Sequence, residues 1–331
     1  MHDKDGIAST IGLVVIGRNE GERLRRCLVS AAREVPLVIY VDSGSTDDSA
    51  TLARSLGVQT IELDPSTPFS AARARNEGFG RLRQMKPSLV YVQFVDGDCE
   101  LCAGWIETAA EFLRDHEDAA VVSGRLREKY PENSIYNTLC DMEWDVPAGE
   151  VKDCGGIAMM RASAFDRVQG FKVDLIAGEE PELCVRFRKL GWRIWRLGQD
   201  MALHDSAMSR FGQWWKREQR AGHAFAQGAK MHGAAPERHY VREFRSALFW
   251  GLGVPLMALA LIASIGPFGS LAFAAYPIQV VRLAMLGTRS TRENWLRAVF
   301  LVMGKFPEML GQLQFYVRRT LGRQSRLIEY K

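Results

Sequence analysis

The stretch LVYVQFVDGD, residues 89–98, decides how this chain folds. Leu89 to Val95 is a short, uncharged run of β-branched and aromatic residues, the composition of a strand buried on both faces. It ends abruptly on Asp96-Gly97-Asp98. Three similar runs precede it: Ile11 to Ile16 (IGLVVI), Leu37 to Val41 (LVIYV) and Val58 to Leu63 (VQTIEL). Between them, Glu20–Arg33, Thr46–Leu56 and Ser70–Met85 carry apolar residues at helical spacing. This βαβα order predicts an α/β fold: a Rossmann-like, mostly parallel sheet with helices on both faces. Ligands of such sheets bind beyond the carboxyl ends of the strands.

Those ends are selectively polar. Gly17-Arg18-Asn19-Glu20 follows the first strand, Asp42-Ser43-Gly44-Ser45-Thr46-Asp47 the second, and Asp96-Gly97-Asp98 the fourth. No GxGxxG follows the first strand and no GxxxxGK[ST] occurs, which excludes the common dinucleotide and P-loop sites. Two carboxylates at i and i+2, directly after a buried strand, are hard oxygen ligands suited to Mg2+ or Mn2+ carrying a diphosphate. Further on, Gly155 to Met160 reads as a short strand and Ala162 to Val168 as a helix. Gly178-Glu179-Glu180-Pro181 opens another helix, with proline in its first turn and acidic residues at its positive end. A long basic helix is expected over about Ser206 to His232.

In order, VVIGRNE, VDSGSTDDS, AARARNEG, VDGD, GGIAMMR and AGEEPELCVRFRKLGW resemble the motifs of a family 2 glycosyltransferase of the GT-A fold, over residues 11 to about 230. The resemblance implies inverting transfer of a sugar from a nucleotide-diphosphate sugar, a UDP-sugar being favoured, with Mg2+ or Mn2+ as cofactor. It implies that Gly17, Asn19, Glu20 and Asp42 contact the nucleotide, that Arg73, Arg75 and Asn76 line the donor pocket with Asp96, and that Asp96, Asp98 and His204 hold the metal. Arg217 and Arg220 are placed to neutralise the leaving diphosphate. Glu180 stands at the position of the family's general base, with Glu179 second and Glu182 third, although glutamate replaces the usual aspartate and Pro181 follows directly. Plainer roles compete: an N-terminal cap of the next helix for Asp42, exposed helix charges for Arg73, Arg75 and Asn76, dipole compensation for Glu179 and Glu180, packing for His204. The basic helix lacks the QxxRW pattern of processive synthases, which favours one transfer per binding event.

Composition sets the frame. The chain has 331 residues, 47% hydrophobic and 25% charged, enough for about two domains. These are expected at 1–235, catalytic, and 236–331, helical. Disorder and a disulfide scaffold are excluded, since six cysteines are too sparse to staple a chain of this size. A net charge of +4 argues against a nucleic-acid partner. Cys99 and Cys102 form one CxxC, short of the four ligands of a structural zinc site, and the N-terminal MHDKDGIASTIG does not read as a secretory signal.

Ser246 to Val281 contains no Asp, Glu, Lys or Arg. A membrane hairpin is expected at 247–286, turning at Gly266-Pro267-Phe268-Gly269-Ser270; a buried soluble helix pair is the alternative. Arg238, Arg242 and Arg245 on one side and Arg282, Arg289 and Arg292 on the other put both ends on the cytoplasmic side by the positive-inside rule. Residues 295–319 read as an amphipathic surface helix. Together these features predict an inner-membrane enzyme facing the cytoplasm, acting on a saccharide or lipid-linked acceptor in polysaccharide, envelope or glycolipid assembly. The competing readings are a polyprenyl-phosphate acceptor, a catalytically inactive membrane scaffold, and a nucleotidyl transferase.

Overall fold

The computed structural model describes residues 9–322. The reading of the N-terminus as lacking a signal falls mostly on residues 1–8, outside the described residues. Packing divides the chain into two units, one running to Leu175 and resuming over Glu179–Ala207, the other comprising Ile176–Gly178 and everything from Met208.

The first unit is built on a nine-stranded sheet. In chain order its elements are β1 (Ile11–Gly17), α1 (Glu22–Glu34), β2 (Val38–Asp42), α2 (Ser49–Ser55), β3 (Gln59–Glu62), α3 (Ala71–Met85), β4 (Tyr91–Asp96), β5 (Cys99–Leu101), α4 (Trp105–Asp115), β6 (Ala119–Glu128), α5 (Ile135–Trp144), β7 (Gly149–Glu150), β8 (Ala158–Arg161), α6 (Ala162–Arg167), α7 (Glu179–Lys189) and β9 (Arg193–His204). The sheet order is β3-β2-β1-β4-β8-β6-β9-β5, with β7 paired to β9. Strands β3, β2, β1 and β4 are parallel, as the sequence predicts. Beyond them the sheet is mixed: β8 runs antiparallel to β4 and β6, while β6 and β9 are parallel.

Side chains alternate across a strand, so β1 feeds two cores. Leu13 and Val15 pack on one face with Tyr40, Leu24, Leu28, Trp105 and Leu113. Val14 and Ile16 pack on the other with Ile39, Val41, Phe79, Leu82, Phe94 and Phe165. Each such side chain contributes roughly 1.5–3 kcal/mol when fully buried. The cores leave the strand ends level: Gly17 stands beside Asp42, and Ile16 beside Asp96. Successive strands are added on one side of β1 as far as β3 and then on its other side from β4, and this switch in strand order is where such sheets open a crevice.

The second unit is helical. It contains α8 (Phe211–His232), α9 (Val241–Leu248), a π-helical turn (Phe249–Gly253), α10 (Val254–Ile265), a 3-10 segment (Gly266–Ala274), α11 (Ala275–Met285), α12 (Thr291–Met303) and α13 (Lys305–Thr320). The basic helix α8 packs against α13, with His223 edge-on to Phe315 at 5.2 Å, and meets α12 through Trp214, edge-on to Phe300 at 4.9 Å. That packing puts α8 in the second unit, so the division falls near residue 207 where the sequence reading placed it at 235.

The chain reverses at Gly266, whose φ of 67° suits glycine. The return leg is 3-10 before it is α-helical. Residues 291–320 form two helices where the sequence predicts one over 295–319. Pro307 explains the break: it has no N–H to give the Met303 carbonyl, and its ring crowds that oxygen, so α12 ends there and Gly304 starts the turn into α13. By length and composition the helical run Val241–Met285 is apolar enough to cross a membrane.

Candidate functional site

Asp96 closes β4, and Gly97 turns the chain so that Asp98 points the other way into the protein. The Asp96 side chain is 36% exposed, whereas that of Asp98 is 3% exposed. Strand β5 then pairs antiparallel with β9, setting Cys99 opposite His204. The result brings Asp98 Oδ2 to 3.3 Å from His204 Nε2. Behind the imidazole, Nδ1 lies 3.5 Å from Glu128 Oε2, and Trp144 packs edge-on at 4.8 Å. Glu128 is itself buried, accepting from the Ser206 and Tyr130 amides and from Asn137 Nδ2. Possible ligand atoms of Asp98, Cys99 and His204 lie within 4.8 Å of one another, whereas Asp96, expected to share the ion, is turned to Arg75 and is not part of that group. A carboxylate and an imidazole backed by Glu128 suit Mg2+ or Mn2+. The neighbouring Cys99 thiol is pushed well above its ordinary range by burial and by Asp96, which keeps it protonated.

The first and second strand-end loops are stitched together. Asn19, in the left-handed region at φ 57°, donates its amide to Ser45 Oγ and accepts from the Thr46 amide through Oδ1 at 2.7 Å. Glu20 pairs with Arg23 at 2.8 Å and takes Ser49 Oγ on its amide. Asp42 is buried, and its two oxygens accept from Tyr40 Oη, the Gly44 and Ser45 amides and Ser45 Oγ. It organises the loop as an Asx-type turn and does not cap the next helix, whose N-terminal flanking residue is Asp48. Gly17 lies at the level of Asp42.

Arg75 links the Asp-x-Asp turn to the acidic helix. Its guanidinium is buried, donating to Asp96 Oδ1 and to Glu179 Oε1, each at 2.8 Å, and it lies 5.5 Å over the Phe171 ring. Arg75 is therefore a clamp between two carboxylates, and the exposed-charge reading of it falls. Asn76 spends both polar ends on Phe171, donating to its carbonyl at 2.7 Å and accepting from its amide at 2.9 Å. It holds that loop in place. Arg73 reaches the carbonyls of Asp64 and Thr67, tying down the β3–α3 connection.

Of the acidic pair opening α7, the two members face different surroundings. Glu179 is on the Arg75 side, 12% exposed at its side chain. Glu180 is enclosed: Oε1 accepts from the Cys154 amide at 2.8 Å, Cys154 Sγ at 2.9 Å and Cys184 Sγ at 2.8 Å, while Oε2 accepts from the Gly155 amide at 3.0 Å. Burial, then the nearby Asp153, raises its pKa to about 7. Glu182 pairs with Arg186 at 2.7 Å. Arg217 and Arg220 belong to the second unit, where Arg217 pairs with Glu218 and Arg220 donates to the Ile176 carbonyl.

The sequence reading missed Glu128, Cys154 and Cys184, because each matters through a partner far along the chain. A hint lay in Glu128 being a buried acidic residue that ends a strand whose first four residues, Ala119–Val122, are apolar.

A mixed sheet with level polar strand ends, an Asp-x-Asp turn and a converging histidine defines the GT-A class, the fold of nucleotide-diphospho-sugar transferases. Residues 13–168 match the family described as Glycosyl transferase family 2. Among solved structures, a mannosyltransferase from Pyrobaculum calidifontis, determined with GDP-Man and Mn2+, shares the fold at 16% identity and a TM-score of 0.56, over 95% of this chain and 87% of that one. S. aureus TarS 1–349 shares it at 14% identity and a TM-score of 0.52, over 95% and 92%. A curated TPR repeat-containing protein of Synechococcus elongatus is 38% identical over 63 residues, so the match spans 19% of this chain and 16% of that protein.

Proposed function

We propose that this protein is a membrane-associated inverting glycosyltransferase that moves a sugar from a nucleotide-diphosphate sugar, a UDP-sugar by preference, to an acceptor hydroxyl. The observation that carries the reading is the convergence of Asp98 and His204 beside an Asp96 that Arg75 fixes to Glu179. Asp98 and His204 would hold a divalent ion, with Asp96 contributing only through a change of its present pairing with Arg75. When bound, that ion supplies positive charge to the departing diphosphate. The loops at Gly17–Glu20 and Asp42–Thr46, stitched through Asn19, form the wall for the nucleotide.

Glu179 takes the proton of the acceptor hydroxyl, because a base must come within hydrogen-bond reach of the group it deprotonates. Glu180 is committed to four donors in a dry pocket and instead anchors the start of α7. This assignment inverts the order within the pair that the family position suggests. Arg75 sets the spacing between metal carboxylate and base. The apolar 247–286 region supports attachment to the cytoplasmic face of an inner membrane, and a saccharide or lipid-linked acceptor in envelope, polysaccharide or glycolipid assembly fits such a location.

The test is a panel of UDP-, GDP- and dTDP-sugars incubated with the full-length protein and Mn2+, scored for release of nucleoside diphosphate. Metal-dependent release from one donor is expected. Equal, negligible release from all of them, with no nucleotide-sugar binding, would leave only the inactive scaffold.

A further inference from the structure

The hairpin is packed inside out relative to a helix pair in water. Along 241–265 the buried residues are small, namely Ala247, Gly251, Val254 and Ala258, while Leu256, Leu259 and Ile265 are each more than half exposed. On the return leg Gly269 is buried, and a Cβ there would stand 2.2 Å from the Ile262 amide nitrogen. Phe268 and Leu271 beside it are 74% and 71% exposed. A water-soluble fold buries its large apolar residues. Small residues between the legs with bulky ones outside is the arrangement used where the surroundings are hydrocarbon.

The polar groups agree. Ser264 Oγ donates to the Ala260 carbonyl at 2.8 Å and Ser270 Oγ to the Pro267 carbonyl at 2.7 Å, so both hydroxyls are satisfied within the hairpin, as an apolar medium requires. The cations sit at its base: Arg242, Arg245 and Arg282 are exposed, charge-matched to anionic headgroups.

Depth follows from where the hairpin meets other helices. Tyr276 Oη donates to the Trp250 carbonyl at 2.6 Å, its ring lies 5.6 Å from that of Phe306, and Gly251 abuts Lys305 and Met309. Beyond these contacts remain α10 and the 3-10 segment, which pack mainly on each other. Twelve α-helical residues rise about 18 Å. Nine 3-10 residues rise about the same. The hydrocarbon core is about 30 Å thick, so one leaflet is about 15 Å.

We infer that residues 254–274 form a re-entrant hairpin, entering one leaflet and returning on the same side with Phe268 near the bilayer midplane. The inference rests on the membrane reading above and adds a topology to it: the protein is held by one leaflet and does not cross.

Full-length protein carrying Ser270→Cys, with Cys102→Ser to remove the one free thiol that is not buried, is labelled with a nitrobenzoxadiazole dye. It is then bound to sealed phosphatidylcholine–phosphatidylglycerol vesicles. Lipids brominated near the chain ends should quench the dye most strongly, and dithionite should bleach it from neither side. Bleaching by dithionite trapped in the lumen would show that the tip emerges, overturning re-entry while leaving membrane attachment intact. Bleaching from outside without bromine quenching would overturn both. Phe268 makes no core contact, so Phe268→Asp should fold normally yet bind vesicles about a hundredfold more weakly; unchanged binding would refute insertion of the tip.

Discussion

Glu179→Gln and Glu180→Gln separate proton transfer from helix anchoring. In Glu179→Gln the amide oxygen can still accept from Arg75, which also retains Asp96 at 2.8 Å, so the clamp survives while the base is lost. General-base help is worth about 10²- to 10⁴-fold; turnover should fall by that range with donor affinity unchanged. In Glu180→Gln one carboxylate oxygen becomes an NH2 group. Oriented to keep the oxygen on the Cys154 amide and both thiols, it sets that NH2 against the Gly155 amide, now 3.0 Å from Oε2. Two donors facing each other in a buried site cost about 1–3 kcal/mol. For a unit of roughly two hundred residues each kcal/mol is about 2–4 °C in Tm, so melting should drop by up to about 10 °C. Transfer assayed well below that melting point should stay within tenfold of the parent. The assay is single-turnover transfer with saturating donor, paired with thermal melts. A larger loss of transfer in Glu180→Gln than in Glu179→Gln, with donor affinity intact in both, would refute the assignment and return Glu180 to the base position.

Other expectations follow from neighbouring groups. Asp98→Asn should weaken Mn2+ binding, read by calorimetry, without lowering Tm, since the amide keeps the volume of the carboxylate and loses its charge. Glu128→Gln should loosen His204 and cost about 10- to 100-fold in Mn2+ affinity, with Glu128→Asp recovering part of it; an unaltered Mn2+ titration would show that Glu128 plays no part in holding the ion. The raised pKa of Glu180, about 7 against an ordinary 4.5, means that the folded state binds its proton more tightly than the unfolded chain. Stability from this group is therefore full below about pH 4.5 and is lost as pH rises toward 7, and Glu180→Gln should flatten that slope in melts across the range.

The parallel half of the fold was legible because its information is local. Each of β1, β2 and β4 is a short apolar run followed at once by polar residues, and the sheet brings those ends to one level without further instruction. The Asp-x-Asp motif was visible for the same reason. What escaped was set by pairing at long range. The strand Arg193–His204 has charges scattered along it because much of it is only half-buried, so no alternation announced it. Without it neither the position of His204 nor the role of Glu128 could be placed. Glu180 shows the same limit: its sequence position matched a base, but the side chain was captured by Cys154 and Cys184, on either side of it in the chain. The broken C-terminal helix was legible and overlooked, since Pro307 alone dictates it.

The pairing of Cys99 with His204 carries one more consequence. A slip of one residue between β5 and β9 would turn the imidazole to the opposite face of the sheet, away from Asp98. On the proposed metal site, a growing chain that has made its first hundred residues has Asp96 and Asp98 but no histidine to join them, so ion capture would wait on completion of the sheet. A partly synthesised chain would lack the full ligand set with which to bind, and wastefully hydrolyse, an activated sugar. An ion that binds only the state docked in register would stabilise that state by RT ln(1 + [M]/Kd). The register that pairs Cys99 with His204 would in this way couple assembly of the proposed site to a pairing between strands about a hundred residues apart in the chain.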